Sequence, residues 1–234
     1  KAKVKQWETF DSTLSSKSIQ FLTAVFPNKS TIHEEKIPYN MRALKRDTPS
    51  RTDQFVNYLQ ASNSPVQLLD IRDQLLHQKN EVQNYHKFDT HWNEYGAFLA
   101  YRELCKAMGI QPYELSDFDI HYVEFSSGDL GRMAGLCNNR SIQEMIPSIN
   151  KKNPPKYGRA DTEENATICW KNEDPALQKR LVIFKDSYTD LLMKFLSLHF
   201  KEAYFVGWGF NYEAIERLEP DVVLIANVER YFAR

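Results

Sequence analysis

The second half of the chain alternates short apolar runs with helical patterns, and this alternation limits the possible folds more than any other feature. Residues 181–184, 203–206 and 221–226 form apolar runs of strand length. Between them, 191–200 and 212–218 carry apolar residues at helical spacing. Parallel strands need a long crossover, usually a helix, so this order is typical of a mainly parallel sheet covered on both faces. The sequence therefore predicts an α/β fold with helices sandwiching the sheet.

The first half of the chain extends the same pattern. We predict strands at 19–26 and 65–70 and a helix at 92–108 that ends at Gly109. Segment 138–166 is polar, contains three prolines and has no period, so we predict an irregular insertion or lid there. The remaining predicted elements are helices at 2–15, after Ser50, at 71–77 and within 128–135, a strand at 116–126, and an edge strand at 166–170.

The bulk composition excludes several classes of protein. The 234 residues are 42% hydrophobic and carry a formal net charge of -1, which suits one domain spanning 1–234 and disfavours nucleic acid as a partner. No segment approaches the ~18 consecutive apolar residues that cross a bilayer. The chain begins at Lys1 rather than Met, so we interpret it as a shortened chain whose start does not indicate the compartment.

The three cysteines show no spacing typical of a metal site. Cys105 lies in an apolar helical stretch and is predicted to be a buried thiol. Cys137 and Cys169 would form a disulfide bridge only in an oxidising compartment, and the sequence leaves that open.

Two separated segments carry the residue types of a nucleophilic catalyst. Asp89 precedes His91 by two positions, at the start of the predicted helix 92–108. Ser187 follows a predicted buried strand, where its hydroxyl would face outward and nearby free backbone N–H groups would receive an oxyanion. A serine hydroxyl needs an imidazole to accept its proton and a carboxylate to orient that imidazole. We therefore predict that Ser187, His91 and Asp89 form one site.

Blander explanations exist for each of these residues. An Asp-Ser pair at a helix start is usually a helix cap, and a histidine beside Trp92 is often structural. His86, Asp89 and His91 are also all of metal-ligand type, but a further ligand group and a zinc spacing are missing. We predict no metal and no diffusible cofactor.

Five segments resemble the AlgX/AlgJ-type polysaccharide (alginate) O-acetyltransferases, and the resemblance runs in the same order from about residue 21 to 232. The most specific are DTHWNEYGAFLAY at 89–101 and KDSY at 185–188; the others are PNKSTI at 27–32, GDLGRM at 128–133 and PDVVLIANVERYF at 220–232. The resemblance implies an SGNH-hydrolase-like fold in which Asp-x-His precedes the serine. It also implies that Ser187 is the nucleophile, His91 the base and Asp89 its orienting partner. Lys185 departs from the glycine usual in the family.

The resemblance further implies the setting of the protein. We expect a periplasmic or other extracytoplasmic location, and a native N-terminus that adds a first strand and a signal peptide or membrane anchor. The acceptor would be an exported or cell-surface polysaccharide. The acetyl donor would be supplied by a membrane-bound O-acyltransferase.

Three functions are compatible with these residues. The first is acetyl transfer to a polysaccharide hydroxyl, the second is a carbohydrate acetylesterase that uses the same triad, and the third is a non-catalytic glycan-binding module in which Trp92, Trp208, Tyr188 and Tyr212 stack on sugars. For an enzyme, we predict a substrate-contacting surface made of Tyr188, Arg132, Lys29, Trp208 and Trp92.

Overall fold

The computed structural model describes residues 2–45, 47–126, 128–136, 143–160, 167–207 and 209–232. Strands β1 to β9 are Gln20–Phe26, Leu68–Asp70, Phe118–Phe125, Glu144–Lys151, Tyr157–Ala160, Thr167–Asn172, Arg180–Lys185, Glu202–Gly207 and Val222–Val228. Helices α1 to α10 are Ala2–Ser16, Lys29–Ile32, Tyr39–Arg42, Arg51–Ala61, Arg72–Gln78, Glu94–Ala107, Asp129–Met133, Met193–Leu196, Tyr212–Leu218 and Glu229–Phe232. Short 3₁₀ helices span Glu34–Lys36, Leu115–Asp117, Ser187–Leu192 and Ser197–His199.

Seven strands form one sheet in the order β2-β1-β9-β7-β8-β6-β5. The five strands from β2 to β8 in that order are mutually parallel; β6 pairs antiparallel with β8, and β5 pairs antiparallel with β6. The predicted α/β architecture, with helices on both sides of a mostly parallel sheet, is confirmed. The carboxyl ends of the parallel strands lie at one edge, where loops gather functional residues.

Alternate residues of the central strands enter two different cores, because successive side chains of a strand point to opposite faces. In β7, Leu181 and Ile183 pack on the α6 side, while Val182 and Phe184 pack on the side of α1, α4 and α9. Helix α6 is buried along the face that includes Phe98, in agreement with its predicted period. The sheet is therefore the middle of three layers.

The prediction of an irregular segment at 138–166 is wrong for its described part. Strand β4 pairs antiparallel with β3 in a separate two-stranded sheet, and β5 adds to the main sheet. Pro147 concealed this strand in the sequence, because proline cannot donate to a ladder and is tolerated where the neighbouring edge is unpaired. Ile146 and Ile149 of β4 are buried. The prediction of an edge strand at 166–170 is also wrong for its described part, because β6 lies between β8 and β5 in the main sheet.

The apolar segment 191–200 is helical but not one continuous helix. It divides into the 3₁₀ turn that begins at Ser187, α8 and a second 3₁₀ turn. In the last turn, the carbonyls of Ser197 and Leu198 accept hydrogen bonds from the side-chain amide of Asn172.

None of the helices among the described residues is long and apolar enough to cross a bilayer. Cys105 is a buried free thiol, as predicted, and burial raises the pKa of that thiol to about 12. Cys169 is also a buried free thiol, whereas Cys137 lies outside the described residues.

His199 makes the stability of this fold sensitive to acid. Its Nε2 lies at a hydrogen-bond distance of 2.7 Å from the Tyr101 hydroxyl oxygen, and burial lowers the pKa of the imidazole from 6.5 to about 4. The folded protein thus favours the neutral form. The stabilisation is complete above pH 6.5 and is lost as the pH falls towards 4, by about 3 kcal/mol in all. Urea unfolding at pH 7.5 and pH 5 should show about 2 kcal/mol of this loss in the parent and much less in His199→Gln; equal losses would contradict it.

Candidate active site

Ser187, His91 and Asp89 form a continuous hydrogen-bonded line at the carboxyl edge of the sheet. Ser187 is the first residue after the turn that ends β7, and its side chain is exposed. The loop before α6 carries the other two residues. His91 Nε2 lies 2.8 Å from Ser187 Oγ, and His91 Nδ1 lies 2.6 Å from Asp89 Oδ1. The two segments, 96 residues apart in sequence, therefore meet in the geometry that proton transfer from serine to imidazole requires.

The Asp89 carboxylate is held ionised by its neighbours. Burial alone would raise the pKa of this carboxyl, but hydrogen bonds from the His91 ring, the His91 backbone N–H and the Asp129 backbone N–H outweigh burial and hold the pKa well below its usual value. A carboxylate that accepts on both oxygens stays charged at neutral pH. It can therefore fix the proton of His91 on Nδ1 and leave Nε2 free to accept one.

Asp129 belongs to this site, although sequence reasoning did not place it there. Its backbone N–H donates to Asp89 Oδ2 at 2.9 Å, and its carboxylate accepts from both the backbone N–H and the hydroxyl of Thr90. One oxygen lies 3.9 Å from His91 Nδ1. The available signal was the GDLGRM segment, in which Asp129 begins a short helix. Its partnership with Asp89 joins elements 40 positions apart, which no local pattern reveals.

Gly128 permits this close approach of α7 to Asp89. A Cβ built on Gly128 would lie 2.3 Å from Asp89 Cβ and 2.7 Å from the Phe88 carbonyl oxygen. Both are relatively fixed atoms, so any larger residue would displace α7 or the Asp89 loop.

Gly128→Ala should therefore lower both activity and stability. We expect a loss of about 1–3 kcal/mol in unfolding free energy from the overpacking, together with a fall in kcat because Asp89 moves away from His91. Thermal melting and ester turnover measure the two effects. Gly158→Ala is the matched control, since a Cβ there meets nothing within 4 Å. A Gly128 variant as active and stable as the control would refute the packing argument.

Trp92 and Tyr188 were predicted to contact substrate, and this prediction is wrong. Both side chains are fully buried and present no surface to a sugar. The Trp92 indole N–H donates to the Tyr188 carbonyl at 3.0 Å, and the Tyr188 hydroxyl donates to the Thr90 carbonyl at 2.5 Å. These reciprocal bonds brace the segment of His91 against the segment of Ser187. Tyr188 also lies under Arg230, whose guanidinium is 5.1 Å from the ring centroid.

The other predicted substrate contacts are distributed around the site. The Lys29 ammonium donates to the carbonyls of Lys87 and Asp89, so it supports the loop of the triad from α2. Burial lowers the pKa of that ammonium. Arg132 is exposed on α7, the helix that Asp129 begins, and its contact with substrate stays a prediction. Trp208 lies outside the described residues, and Tyr212 is 37% exposed on α9.

The turn around Ser187 leaves one backbone amide available for an oxyanion. The Tyr188 N–H donates to Asp186 Oδ1, and the Thr189 N–H donates to the Asp186 carbonyl. Ser187 is at the first helical position, so its own N–H has no helical acceptor. Of the Ser187, Tyr188 and Thr189 amides, only that of Ser187 is thus without an acceptor among the described residues, where several free amides were expected. Lys185, in place of the family's glycine, pairs with Asp190 at 2.5 Å across this turn.

The metal alternative involves a different set of residues from the predicted one. Asp89, His91 and Asp129 have potential ligand atoms within 4.8 Å of one another. His86 is not part of this group: its Nδ1 lies 3.4 Å from Glu144 Oε1, and its ring stacks on Phe125. The oxygens of Asp89 and Asp129 already accept hydrogen bonds from N–H and O–H groups of the protein. This arrangement favours a hydrogen-bonded triad over a cation site.

Comparisons with known proteins place this geometry in context. Residues 1–165 match the family model described as SGNH hydrolase-like domain, acetyltransferase AlgX. The structure of Bacillus cereus PatB1 is similar, with a TM-score of 0.74, 16% identity, and coverage of 98% of this chain and 90% of that one. The O-acetyltransferase domain of Pseudomonas putida AlgJ has a TM-score of 0.60 at 17% identity, covering 100% and 86%. Pseudomonas aeruginosa AlgX has a TM-score of 0.62 at 15% identity, covering 98% and 56%. No curated protein sequence matches the chain.

Proposed function

This chain belongs to the AlgX family of SGNH hydrolase-like acetyltransferase domains, and from that premise we propose that it transfers acetyl groups through Ser187 to hydroxyls of an extracytoplasmic polysaccharide. The observation that carries the proposal is the line from Ser187 Oγ through His91 to Asp89, at 2.8 and 2.6 Å. The donor is proposed to be an acetyl group delivered by a membrane-bound acyltransferase, as the family resemblance implies.

The reaction proceeds in two balanced halves. His91 Nε2 takes the Ser187 proton while Oγ attacks the acetyl carbonyl carbon, and the developing negative charge on the carbonyl oxygen faces the Ser187 N–H. The bond from the acetyl carbon to the donor breaks, and His91 returns the proton to the leaving group. A sugar hydroxyl then gives its proton to His91 and attacks the acetyl-serine. Its oxygen keeps the acetyl group, and the proton returns to Ser187.

A carbohydrate acetylesterase is the second candidate, because the Ser187 side chain is exposed and the His91 side chain is 28% exposed. Water can therefore reach an acetyl-serine. The glycan-binding module is disfavoured, since Trp92 and Tyr188, two of its four proposed stacking rings, are fully buried.

The two catalytic candidates differ in the fate of the acetyl group. We would incubate the protein with an activated acetyl ester, with and without oligosaccharide acceptors, and measure free acetate and acetylated sugar together. The transferase predicts acetylated sugar at the expense of acetate. Rapid acetate release that never yields acetylated sugar, across a broad acceptor panel, would leave the esterase.

A further inference from the structure

A cleft of about 680 Å³ opens at the carboxyl ends of β1 and β9, at the same edge of the sheet as the triad. One wall is formed by Ser30 and Thr31 of α2 and by Glu229, which follows β9. Residues of α3 and of segment 47–50, which leads into α4, line it as well. We call it the α2 cleft. Neither the triad nor its supporting residues Asp129, Trp92 and Tyr188 line it.

Helix α2 contacts both the cleft and the loop that carries Asp89 and His91. The Lys29 ammonium donates to the carbonyls of Lys87 and Asp89, and the next two residues of α2 line the cleft. Strand β9 lies between β7 and β1, so at ~4.8 Å per strand spacing the ends of β7 and β1 are about 10 Å apart. An oligomer whose reacting group is at Ser187 is therefore long enough to reach the cleft.

The topology of the sheet also places a ligand here. The connection from β1 to β2 includes α4, which packs in the core on one face of the sheet, whereas the connection from β7 to β8 includes α8, which packs on the other. These two connections lead in opposite directions along the strand order. In open α/β sheets, ligands bind outside the carboxyl ends of strands where the winding reverses. Ser187 and the α2 cleft flank that region together.

The free groups in the cleft match a sugar. Among the described residues, the side chains of Ser30, Arg42, Asp47 and Thr48 line the cleft without a hydrogen bond or ion pair, so both donors and acceptors are available. Met41 adds an exposed apolar surface. Sugar rings combine hydroxyls with apolar C–H faces and can use both kinds of surface.

The charge of the cleft distinguishes between classes of glycan. Among the residues that the structure describes, its lining has four carboxylates and three cations, and two of these cations are already paired, Lys45 with Glu34 and Arg72 with Asp53. The Glu229 carboxylate is held by the Thr31 hydroxyl and by Asn28. A lining with a slight excess of negative charge does not attract a polyanion.

From these observations we infer that the α2 cleft binds the remote sugar units of an uncharged acceptor glycan while one of its hydroxyls reacts at Ser187. This inference rests on the proposed function. Contacts remote from the reacting group raise kcat/KM for long acceptors over short ones. The small excess of negative charge in the cleft disfavours polyuronates, such as alginate, as the acceptor of this chain.

The experiment uses neutral oligomers of two to six glucose, mannose or N-acetylglucosamine units, each compared with oligouronates of the same length. We expect the neutral hexamer of at least one series to be a better acceptor than its dimer by about tenfold or more in kcat/KM, and better than the hexauronate. The double variant Arg42→Ala/Asp47→Ala should raise the KM for that hexamer and abolish its advantage over the dimer. The control Arg159→Ala/Asp119→Ala changes the same residue types at exposed positions of β5 and β3 and should retain it.

Binding measured without turnover separates this inference from the proposed function. NMR titration of the Ser187→Ala protein with the hexamer should shift signals from residues 30–48. Hexamer binding there without any acetyl transfer by the parent would support the cleft and sink the proposed function. The inference is overturned by transfer without length preference, by a preference for the uronates, or by a cleft variant that behaves like the control. It is equally overturned if no neutral oligomer shifts the cleft signals.

Discussion

Replacing Ser187 with alanine should lower ester turnover by about 10³-fold or more while leaving the fold intact. The reason is that Ser187 Oγ faces His91 Nε2, and in the described part of the chain no other hydroxyl forms a hydrogen bond with that nitrogen. The side chain is exposed, so its removal creates no cavity. Turnover of an activated acetyl ester measures the first effect, and thermal melting measures the second.

A serine-directed sulfonyl probe followed by peptide mapping gives an independent readout of the same residue. The parent and the control Ser12→Ala, changed on an exposed position of α1, should both be labelled at Ser187. The Ser187→Ala protein should not be labelled in that peptide. Retained turnover in the alanine variant, or labelling at another serine, would exclude the proposed nucleophile.

Asp89→Asn should lower kcat on the order of 10⁴-fold, because the carboxylate determines which imidazole nitrogen carries the proton. An asparagine amide can donate to His91 Nδ1, and the imidazole proton then lies on Nε2. A protonated Nε2 cannot accept the proton of Ser187. In the parent protein, both carboxylate oxygens of Asp89 accept from backbone N–H groups, one from His91 and one from Asp129. The amide NH₂ of an asparagine would face one of these N–H groups, so that two donors would oppose each other. Steady-state kinetics with an activated ester measures the loss.

Asp129→Asn is the matched comparison, since it removes a second carboxylate near the same imidazole. The hydrogen bond from its backbone N–H to Asp89 Oδ2 is retained. Asp129 Oδ2 lies 3.9 Å from His91 Nδ1, whereas Asp89 Oδ1 lies 2.6 Å from the same nitrogen. We expect a much smaller loss than in Asp89→Asn. Equal losses in the two variants would show that Asp89 has no special role in setting the tautomer. Because the pKa of Asp89 is held low, activity should not depend on its titration near neutral pH.

Several elements were predictable because their signal is local. The apolar runs that became β1, β7 and β9 are buried on both faces, so nearly every residue in them is hydrophobic, whereas burial alternates along β8. Helix α6 was predictable from its period. Strand β4 was not, because its pairing with β3 joins residues that are distant in sequence and its proline is typical of a loop.

The roles of aromatic residues show a different limit. Trp92 and Tyr188 flank the triad residues in sequence, which favoured a surface that contacts substrate. Whether a ring faces solvent or the core depends on which elements pack over it. Here the hydrogen bonds from the Trp92 indole to the Tyr188 carbonyl and from the Tyr188 hydroxyl to the Thr90 carbonyl hold both rings inside the protein. Composition and spacing carry no information about that packing.

The sequence alone determined the α/β layering, the order in which Asp89, His91 and Ser187 occur, and the chemistry that those side chains offer. Only the tertiary structure decided that His91 meets Ser187, that Asp129 supports Asp89, and that a mixed-charge cleft opens at the same edge of the sheet. The physical reason is range: periodicity and residue type act within a few turns of chain, whereas contacts across 40 or 96 positions arise when sheet order and core packing bring distant loops to one edge.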